Sequence, residues 1–467
     1  MNASTRRHFR SDARRIAALA WPVFAGQIAV LAFSTVDTVL IARYAALDLA
    51  ALAVGAAAYA TVFVGLMGAV LAIGPIAGQF FGAGKLVESG RQLHQAAWMA
   101  LALALPGCAL LLFPQSFLSL AQAGPEVAVK IRGYLAALAL ALPAALLFTA
   151  FRGFNTAVSR PKAVMAMQLA GLALKVPASV LLIYGFTLPT PWGDWRQPAL
   201  GLLGCGIATA LVMWAQLLAT LVLLRRDRFY AAFGVQRLGL DRPDPGALLD
   251  LFRLGLPMGL SILIEVTGFT FMSFFISRLG AVPVAGHQIA ANMVALMFML
   301  PLALSNATGT LVAQHVGAED HAGARRIGRH GLEIGILLGA ALGAAVFLGR
   351  GGIVRAYTQD ATVIAAALPL LAWVGLFHVC DAAQSLASSV LRAYRIATVP
   401  LLVNAVALWG VGLGLGYSVA FDLGGWTPAA LRGAPGFWFA AALGLFVAAF
   451  ALAIFQARMP RRLHSAG

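Results

Sequence analysis

Four ionisable residues of this 467-residue chain lie deep inside stretches apolar enough to cross a bilayer: Asp37, Lys175, Glu265 and Asp381. A charge at the centre of a membrane helix costs about 2.5–3.5 kcal/mol on the insertion scale, so each needs a compensating role. At about 1.5 Å per residue, Glu265 stands roughly 18 Å from the cytoplasmic end of its stretch near Arg253. Asp381 stands roughly 15 Å from the end of its own stretch near Arg392. The two acids therefore share a depth near mid-membrane, in the same half of the chain. Brought together there, they hold a proton or a cation; kept apart, they are two acids hydrogen-bonded to separate neighbours. Lys175 lies roughly 21 Å from the inner and 14 Å from the outer end of its stretch, too deep for its stem to reach water. Asp37 lies in the outer part of the same half, about 9 Å from its end near Arg43. The placement predicts a Lys175–Asp37 pair in which the ammonium is a built-in cation. A hydrated lysine on a cavity wall is the alternative.

The elements that carry these residues follow from hydropathy. Hydrophobic residues make up 61% of the chain and charged residues only 11%, against about 25% charged in ordinary soluble domains. Mean hydropathy is +0.86. Twelve stretches reach the roughly 20 apolar residues a spanning helix needs: 16–42, 50–79, 92–114, 127–150, 162–186, 199–223, 250–277, 285–313, 330–349, 362–389, 398–420 and 436–457. Residues 19–91 match residues 254–326 without a gap, pairing Pro22 with Pro257, Arg43 with Arg278, Gly74 with Gly309, Gln79 with Gln314 and Arg91 with Arg326. Six stretches per half is an even number, so the halves share one orientation and form a parallel repeat. The fold expected is all-α and integral to the membrane: twelve transmembrane helices as two pseudo-symmetric six-helix lobes. The N-lobe with its cytoplasmic linker takes residues 1–236 and the C-lobe residues 237–467. In this frame Asp37 corresponds to residue 272, seven residues beyond Glu265, hence about 10 Å nearer the outside. The halves are alike in architecture and different in chemistry.

The net charge of +16 is a topology signal. With the N-terminus cytoplasmic, and residues in the first two turns of a span counted with the adjoining loop, 24 Lys/Arg fall in inside segments, eight in outside loops, and Lys175 within a span. That bias sets both termini inside and argues against nucleic acid as a partner. Arg6, Arg7 and Arg10 precede an apolar stretch too long for a signal peptide. Cys108, Cys205 and Cys380 are odd in number, fall within spans and form no metal or disulfide framework. The segment from Arg225 to Leu249 reads as a solvated linker. No GxxxxGK[ST] motif offers a nucleotide site, so energy must come from an ion gradient, a partner or the substrate's own gradient. An intramembrane enzyme would need a nucleophile or metal-ligand constellation that is not found, and duplicated broken helices do not suit a passive channel. Pro22, Pro75, Pro143, Pro177, Pro257, Pro301 and Pro369 interrupt spans, which suits moving bundles with bendable helices.

Polar and aromatic residues within spans carry two readings. Gln288 and Asn292 share one helical face and either line a cavity or hydrogen-bond between helices. Phe274, Phe275 and Phe298 either stack on a substrate or face lipid and core, as most of the 28 phenylalanines must. His287 and His378 read as packing residues, and His315 as a solvated residue at a span end.

Gly255-Leu256-Pro257, Ile264-Glu265-Val266, Ala285-Gly286-His287-Gln288-Ile289-Ala290 and Val312-Ala313-Gln314-His315-Val316-Gly317 resemble the multidrug and toxic compound extrusion (MATE) family, most closely its bacterial NorM-like branch. The resemblance covers essentially the whole chain. It implies two six-helix lobes that export amphipathic organic cations or drugs by alternating access, an antiport driven by inward H+ or Na+. By motif, Glu265 and Asp381 fall on cation-coupling positions of the C-lobe, and Asp37 on the acid of the first helix. No cofactor is expected beyond the coupling ion, with Na+ at Glu265 and Asp381 one option. Two positions depart from the family. Phe377 stands where a tyrosine is frequent, which keeps an aromatic face for cation–π contact but no hydroxyl. Lys175-Val176-Pro177-Ala178-Ser179 puts an ammonium where a cation-coordinating amide is expected. The protein is expected in the bacterial cytoplasmic membrane, as a monomer among lipids with small organic cations as partners. A flippase for lipid-linked or polysaccharide precursors on a related scaffold is the alternative; phosphate would ask for a cavity rich in Arg/Lys.

Overall fold

The computed structural model describes residues 3–122, 124–190, 193–237 and 239–459; the basic residues Arg461 and Arg462 lie outside them. Among the described residues twelve helices are long and apolar enough to span a membrane. They are α1 (Ala3–Tyr44), α2 (Ala46–Gly82), α3 (Leu86–Leu112), α4 (Pro125–Ala157), α5 (Pro161–Tyr184), α6 (Leu202–Arg226), α7 (Pro245–Ser277), α8 (Ala281–Gly317), α9 (His321–Tyr357), α10 (Ala361–Ala393), α11 (Thr398–Ala420) and α12 (Ala434–Arg458). Each expected stretch is found, extended by a turn or more at many ends where polar residues continue the helix. Helix α2 is interrupted between Val70 and Ile73. Pro75 has no N–H for the Leu71 carbonyl, which instead accepts from Gly74 N in a tighter turn at 3.0 Å. In α11 the chain widens into a π-helix over Ala405–Leu415. One antiparallel hairpin, β1 (Phe186–Thr190) with β2 (Gly193–Gln197), departs from the all-helical expectation; Phe186 lies opposite Gln197.

Two compact units divide the chain, and the boundary is not at residue 236. The N-unit is Ala25–Gly259, and the C-unit joins Met1–Phe24 to Leu260–Gly467. The division falls two residues after Pro22 and two after Pro257, where each proline removes a backbone hydrogen bond and softens its helix. Packing explains the exchange. At the start of α7, side chains on Gly255 and Gly259 would run into the Ala69 and Gly65 carbonyls of α2. Two glycines one turn apart thus let the backbones close up, a small-residue seam typical of membrane helices. At the start of α1, Ile16 and Ala20 are buried among Ala303, Leu304, Ala307 and Leu311 of α8.

Within each unit the fourth helix is the hub. In the N-unit, α4 packs against α2, α3 and α6; in the C-unit, α10 packs against α8, α9 and α12. Alanine and glycine at the crossings allow this: a Cβ on Gly343 of α9 would sit 2.6 Å from the Gly375 carbonyl of α10. A hub helix in a bilayer buries polar residues that would be costly against lipid, so α10 can carry Asp381, Gln384, Ser388 and Arg392.

The segment between α6 and α7 is not a free solvated linker. Its first turns form a 3-10 helix, Arg228–Phe233, with Tyr230 and Phe233 buried. Tyr230 Oη donates to Asn155 Oδ1 at 2.6 Å, and Arg160 pairs with Asp227 at 2.6 Å. Further on, Gln95 of α3 donates to the Arg242 carbonyl and accepts from Asp244 N, while His94 meets Asp241 at 2.9 Å. Aromatic and amide anchors, hidden among the charges that suggest solvent, lash the segment to the N-unit.

Candidate functional site

In the C-unit, Glu265 projects from the middle of α7 into a network of neutral amides. Its Oε1 accepts from Asn404 Nδ2 at 2.9 Å and from Gln384 Nε2 at 3.2 Å. Gln384 also donates to Asn404 Oδ1 at 2.9 Å, which fixes both amides. Asn404 donates to Ser261 Oγ at 3.0 Å, one turn before Glu265. Ser261, Gln384, Ser388 and Asn404 are all buried. Helix α10 supplies Gln384 and Ser388 on one face, and Asn404 ends the α-helical turn of α11, where the π-helix begins. A π-helical stretch inside a membrane helix is a local adjustment often found at functional positions.

Asp381 lies one turn before Gln384 on α10. No hydrogen bond joins the two carboxylates among the described residues. Arg392, two turns after Ser385 on α10, donates to Ser261 Oγ at 3.5 Å, and its Nε is buried without a partner. The guanidinium is thus one hydroxyl away from the Glu265 shell, not paired with it.

In the N-unit the acid has a different neighbour. Lys175 Nζ lies 2.8 Å from Asp37 Oδ1, the lysine side chain fully buried and the aspartate 12% exposed. The ammonium also donates to Thr209 Oγ1 at 2.6 Å and toward the Cys205 carbonyl at 3.4 Å. The structure thus brings Lys175 and Asp37 together, between α1, α5 and α6.

Two further acids are as deeply buried but are saturated by bases at helix ends. Asp48, 1% exposed, meets Lys130 at 2.5 Å and caps α6 by accepting from Leu202 N at 3.0 Å. Asp12 meets His330 at 2.8 Å and Arg326 at 3.1 Å. Such full compensation is what a fixed structural ion pair requires.

The remaining expected residues separate into groups. Gln288 and Asn292 are exposed on one face of α8 and neither makes a side-chain hydrogen bond among the described residues, so interhelical bonding is not their role. Phe274 is 54% exposed with the Arg278 guanidinium 5.2 Å from its ring centre, and Phe298 is half-buried. Phe377 is buried in an aromatic core, edge to face with Trp438 at 5.6 Å, so its ring is not offered to a ligand. His287 packs between Phe269 and Trp438 and meets Ser273 Oγ at 2.8 Å; His378 is fully buried. His315 is not merely solvated: its Nδ1 meets Asp320 at 2.8 Å. Residue types alone did not single out Gln384, Asn404, Ser261 and Arg392. The signal was available for the amides, since Asn and Gln at membrane depth are also costly unless bonded.

Twelve spanning helices in two compact units, with acids within the first, seventh and tenth, define a duplicated membrane transporter. A family model described as MatE matches residues 22–181 and again 257–418, once in each half. The chain is 38% identical over 406 residues to the probable multidrug resistance protein NorM of Aromatoleum aromaticum, covering 87% of this chain and 86% of that one. It is 31% identical over 444 residues to the multidrug resistance protein NorM of Vibrio cholerae, covering 95% of each. The eukaryotic MATE transporter AtDTX14 superposes with a TM-score of 0.85 at 18% identity, over 98% of each chain. Vibrio cholerae VcmN in its bent form gives 0.82 at 17% identity, over 96% of this chain and 97% of that one. The chain belongs to the MATE family, in its NorM-like branch.

Proposed function

We propose that this chain is a multidrug exporter that expels amphipathic organic cations in exchange for H+ or Na+, with Glu265 and Asp381 as the coupling carboxylates. One observation carries the reading: Glu265 is an acid at mid-membrane whose hydrogen bonds come from the neutral donors Gln384 and Asn404 rather than a fixed cation. Amides orient a carboxylate without cancelling its charge, which leaves the charge to an exchangeable ion. Asp381, one turn before Gln384 on the same helix, adds a second acid. Ion and cationic drug then compete, because either one neutralises these acids, and each favours the conformation that binds it better. Gln288, Asn292 and Phe274, which are exposed, and Phe298, which is half-buried, are the residues from which the substrate surface would be built. The NorM names of the relatives support drugs as the substrate class. In this reading the protein works in the bacterial inner membrane with both termini and the 225–249 segment cytoplasmic, as the charge bias sets.

Efflux of a fluorescent organic cation from proteoliposomes, with pH and Na+ gradients imposed separately, tests it. One gradient should drive efflux in the parent, and Glu265→Gln and Asp381→Asn should each remove that response. Parental efflux in both variants would overturn the coupling assignment.

A further inference from the structure

The polar side chains around Glu265 continue past it toward one end of the C-unit, which binding an ion at the acid does not require. From Glu265 Oε1 the contacts pass to Asn404 Nδ2 at 2.9 Å, from there to Ser261 Oγ at 3.0 Å, and from Ser261 to Arg392 Nη2 at 3.5 Å. Gln384 runs beside them and donates to Ser388 Oγ at 3.3 Å. Ser261 stands one turn before Glu265 on α7, and Arg392 is the last residue but one of α10. The turn from α10 to α11 follows, and in the topology proposed above it is cytoplasmic. Apolar side chains would fill this space without penalty, whereas a hydroxyl or amide inside a bilayer is costly unless bonded. The architecture does not ask for the hydroxyl, because the repeat sets Gly26 at the position of Ser261. Nor does Arg392 serve the end of its own helix. A basic residue there can bond the last carbonyls. Arg392 instead turns Nη2 to Ser261 on another helix, keeps a buried Nε without a partner and joins no ion pair among the described residues.

We propose that the cytoplasmic half of the ion route lies inside the C-unit along Asn404, Ser261 and Arg392, and that the Arg392 guanidinium is the electrostatic gate that closes it. The Asn404 and Ser261 oxygens stand where an ion leaving Glu265 needs a replacement for its water. A positive charge beyond them raises the barrier to any cation, whichever way it moves. A fixed charge cannot rectify the flow, but it keeps the acid from leaking its ion when no substrate is exchanged. The guanidinium is held by a single long contact to a hydroxyl rather than by a carboxylate, a hold that movement of α7 against α10 can break to open the way. The inference rests on the reading above for the role of Glu265 and for the topology, and adds the path and its gate.

Uptake of protons and of radioactive sodium into proteoliposomes, measured without drug, reads the gate. Arg392→Gln should raise this uncoupled flux by about tenfold or more, the effect of one unit charge a few contacts away at an effective dielectric of about 20. Arg392→Lys keeps the charge and should stay near the parental level. Adding Glu265→Gln to Arg392→Gln should abolish the leak, because the route begins at the acid. An unchanged flux in Arg392→Gln, an equal leak in Arg392→Lys, or a leak that persists without the Glu265 carboxylate overturns the inference. Should Arg392→Gln not fold, Ser261 decides. Ser261→Ala, a small residue where the other half has glycine, should slow ion-driven efflux by about fivefold, the worth of one hydrogen bond, and Ser261→Thr should restore it. Parental efflux in Ser261→Ala overturns the route and the gate with it. The two failures are told apart by Glu265→Gln alone: if it loses the gradient response while Arg392→Gln does not leak, the coupling assignment stands and the gate falls.

Discussion

The N-unit and the C-unit answer the same problem, an acid inside a membrane, in opposite ways. Asp37 has a lysine ammonium at 2.8 Å, the lysine side chain fully buried. Glu265 has two amide donors at 2.9 and 3.2 Å and an arginine held one hydroxyl away by Ser261. The first acid is in direct contact with a cation of the chain itself. The second is oriented by amides and makes no ion pair among the described residues. A duplicated architecture therefore does not duplicate the chemistry: the residue equivalent to Glu265 in the first half is Val30, and the one equivalent to Asp37 in the second is Met272. In the function proposed above, one half of the scaffold serves exchange and the other does not.

The strongest way to break this contrast is to neutralise the acids of the C-unit. Glu265→Gln and Asp381→Asn should each reduce ion-driven export in cells to the level of an empty vector while the protein remains folded, since each removes a buried carboxylate. Parental drug resistance in both would make those acids structural. The amide shell comes next. Asn404→Leu removes one charge-assisted hydrogen bond, of about 1.5–3 kcal/mol, from the ionised form of Glu265. Glu265 should then release its ion more slowly, and turnover should fall by about tenfold or more. Steady-state efflux at saturating drug measures it, and an unchanged rate would mean that the amides do not tune the acid.

On the N-unit side the expected effect is on stability. Lys175→Met leaves Asp37 buried without its cation, at a cost of about 3–5 kcal/mol, and Lys175→Met with Asp37→Asn should recover most of it. Detergent melting of the single and double variants measures the coupling. Strictly additive losses would mean the two charges do not support each other.

The smallest effect lies where the repeat pairs two helix starts. Asp320 caps α9 by accepting from Gly323 N at 2.8 Å, whereas the equivalent residue, Lys85, begins α3 with no side-chain cap. Lys85→Asp should stabilise the N-unit, and Asp320→Ala destabilise the C-unit, each by about 1 kcal/mol or less. The Gly323 N–H, and after it the His315 contact, hold the Asp320 carboxyl below the usual carboxylate range. An acid so depressed stabilises the fold above its unfolded value of about 4 and stops doing so as pH falls through its lower folded value. The difference between parent and Asp320→Ala should therefore be complete at neutral pH and vanish in strong acid, as melting at a series of pH values would record.

The sequence carried the helices and the acids because both stand out against apolar surroundings: a run of about 20 apolar residues and a charge within it need no partner to be noticed. The expected proximity of Lys175 and Asp37 followed from depth alone, since two opposite charges in the outer part of one half have few other ways to be compensated. What did not show was the partner set of Glu265. Gln384 and Asn404 come from helices α10 and α11, whose relative rotation depends on packing that no local pattern encodes. The unit boundary was hidden for a related reason. Gly255 and Gly259 look like ordinary small residues until α2 is seen against them. Phe377 shows the converse: a ring that motif position offers to a ligand is taken up by Trp438.

The central claim is that exchangeable ions belong to the C-unit acids and that the N-unit keeps its own. It is tested most directly by adding an organic cation to purified protein and measuring the protons and radioactive sodium released. The parent and the Lys175→Met, Asp37→Asn double variant should release the same ion in the same amount, while Glu265→Gln and Asp381→Asn release less or none. Undiminished release from the C-unit variants, with loss of release in the N-unit double variant, would contradict the account.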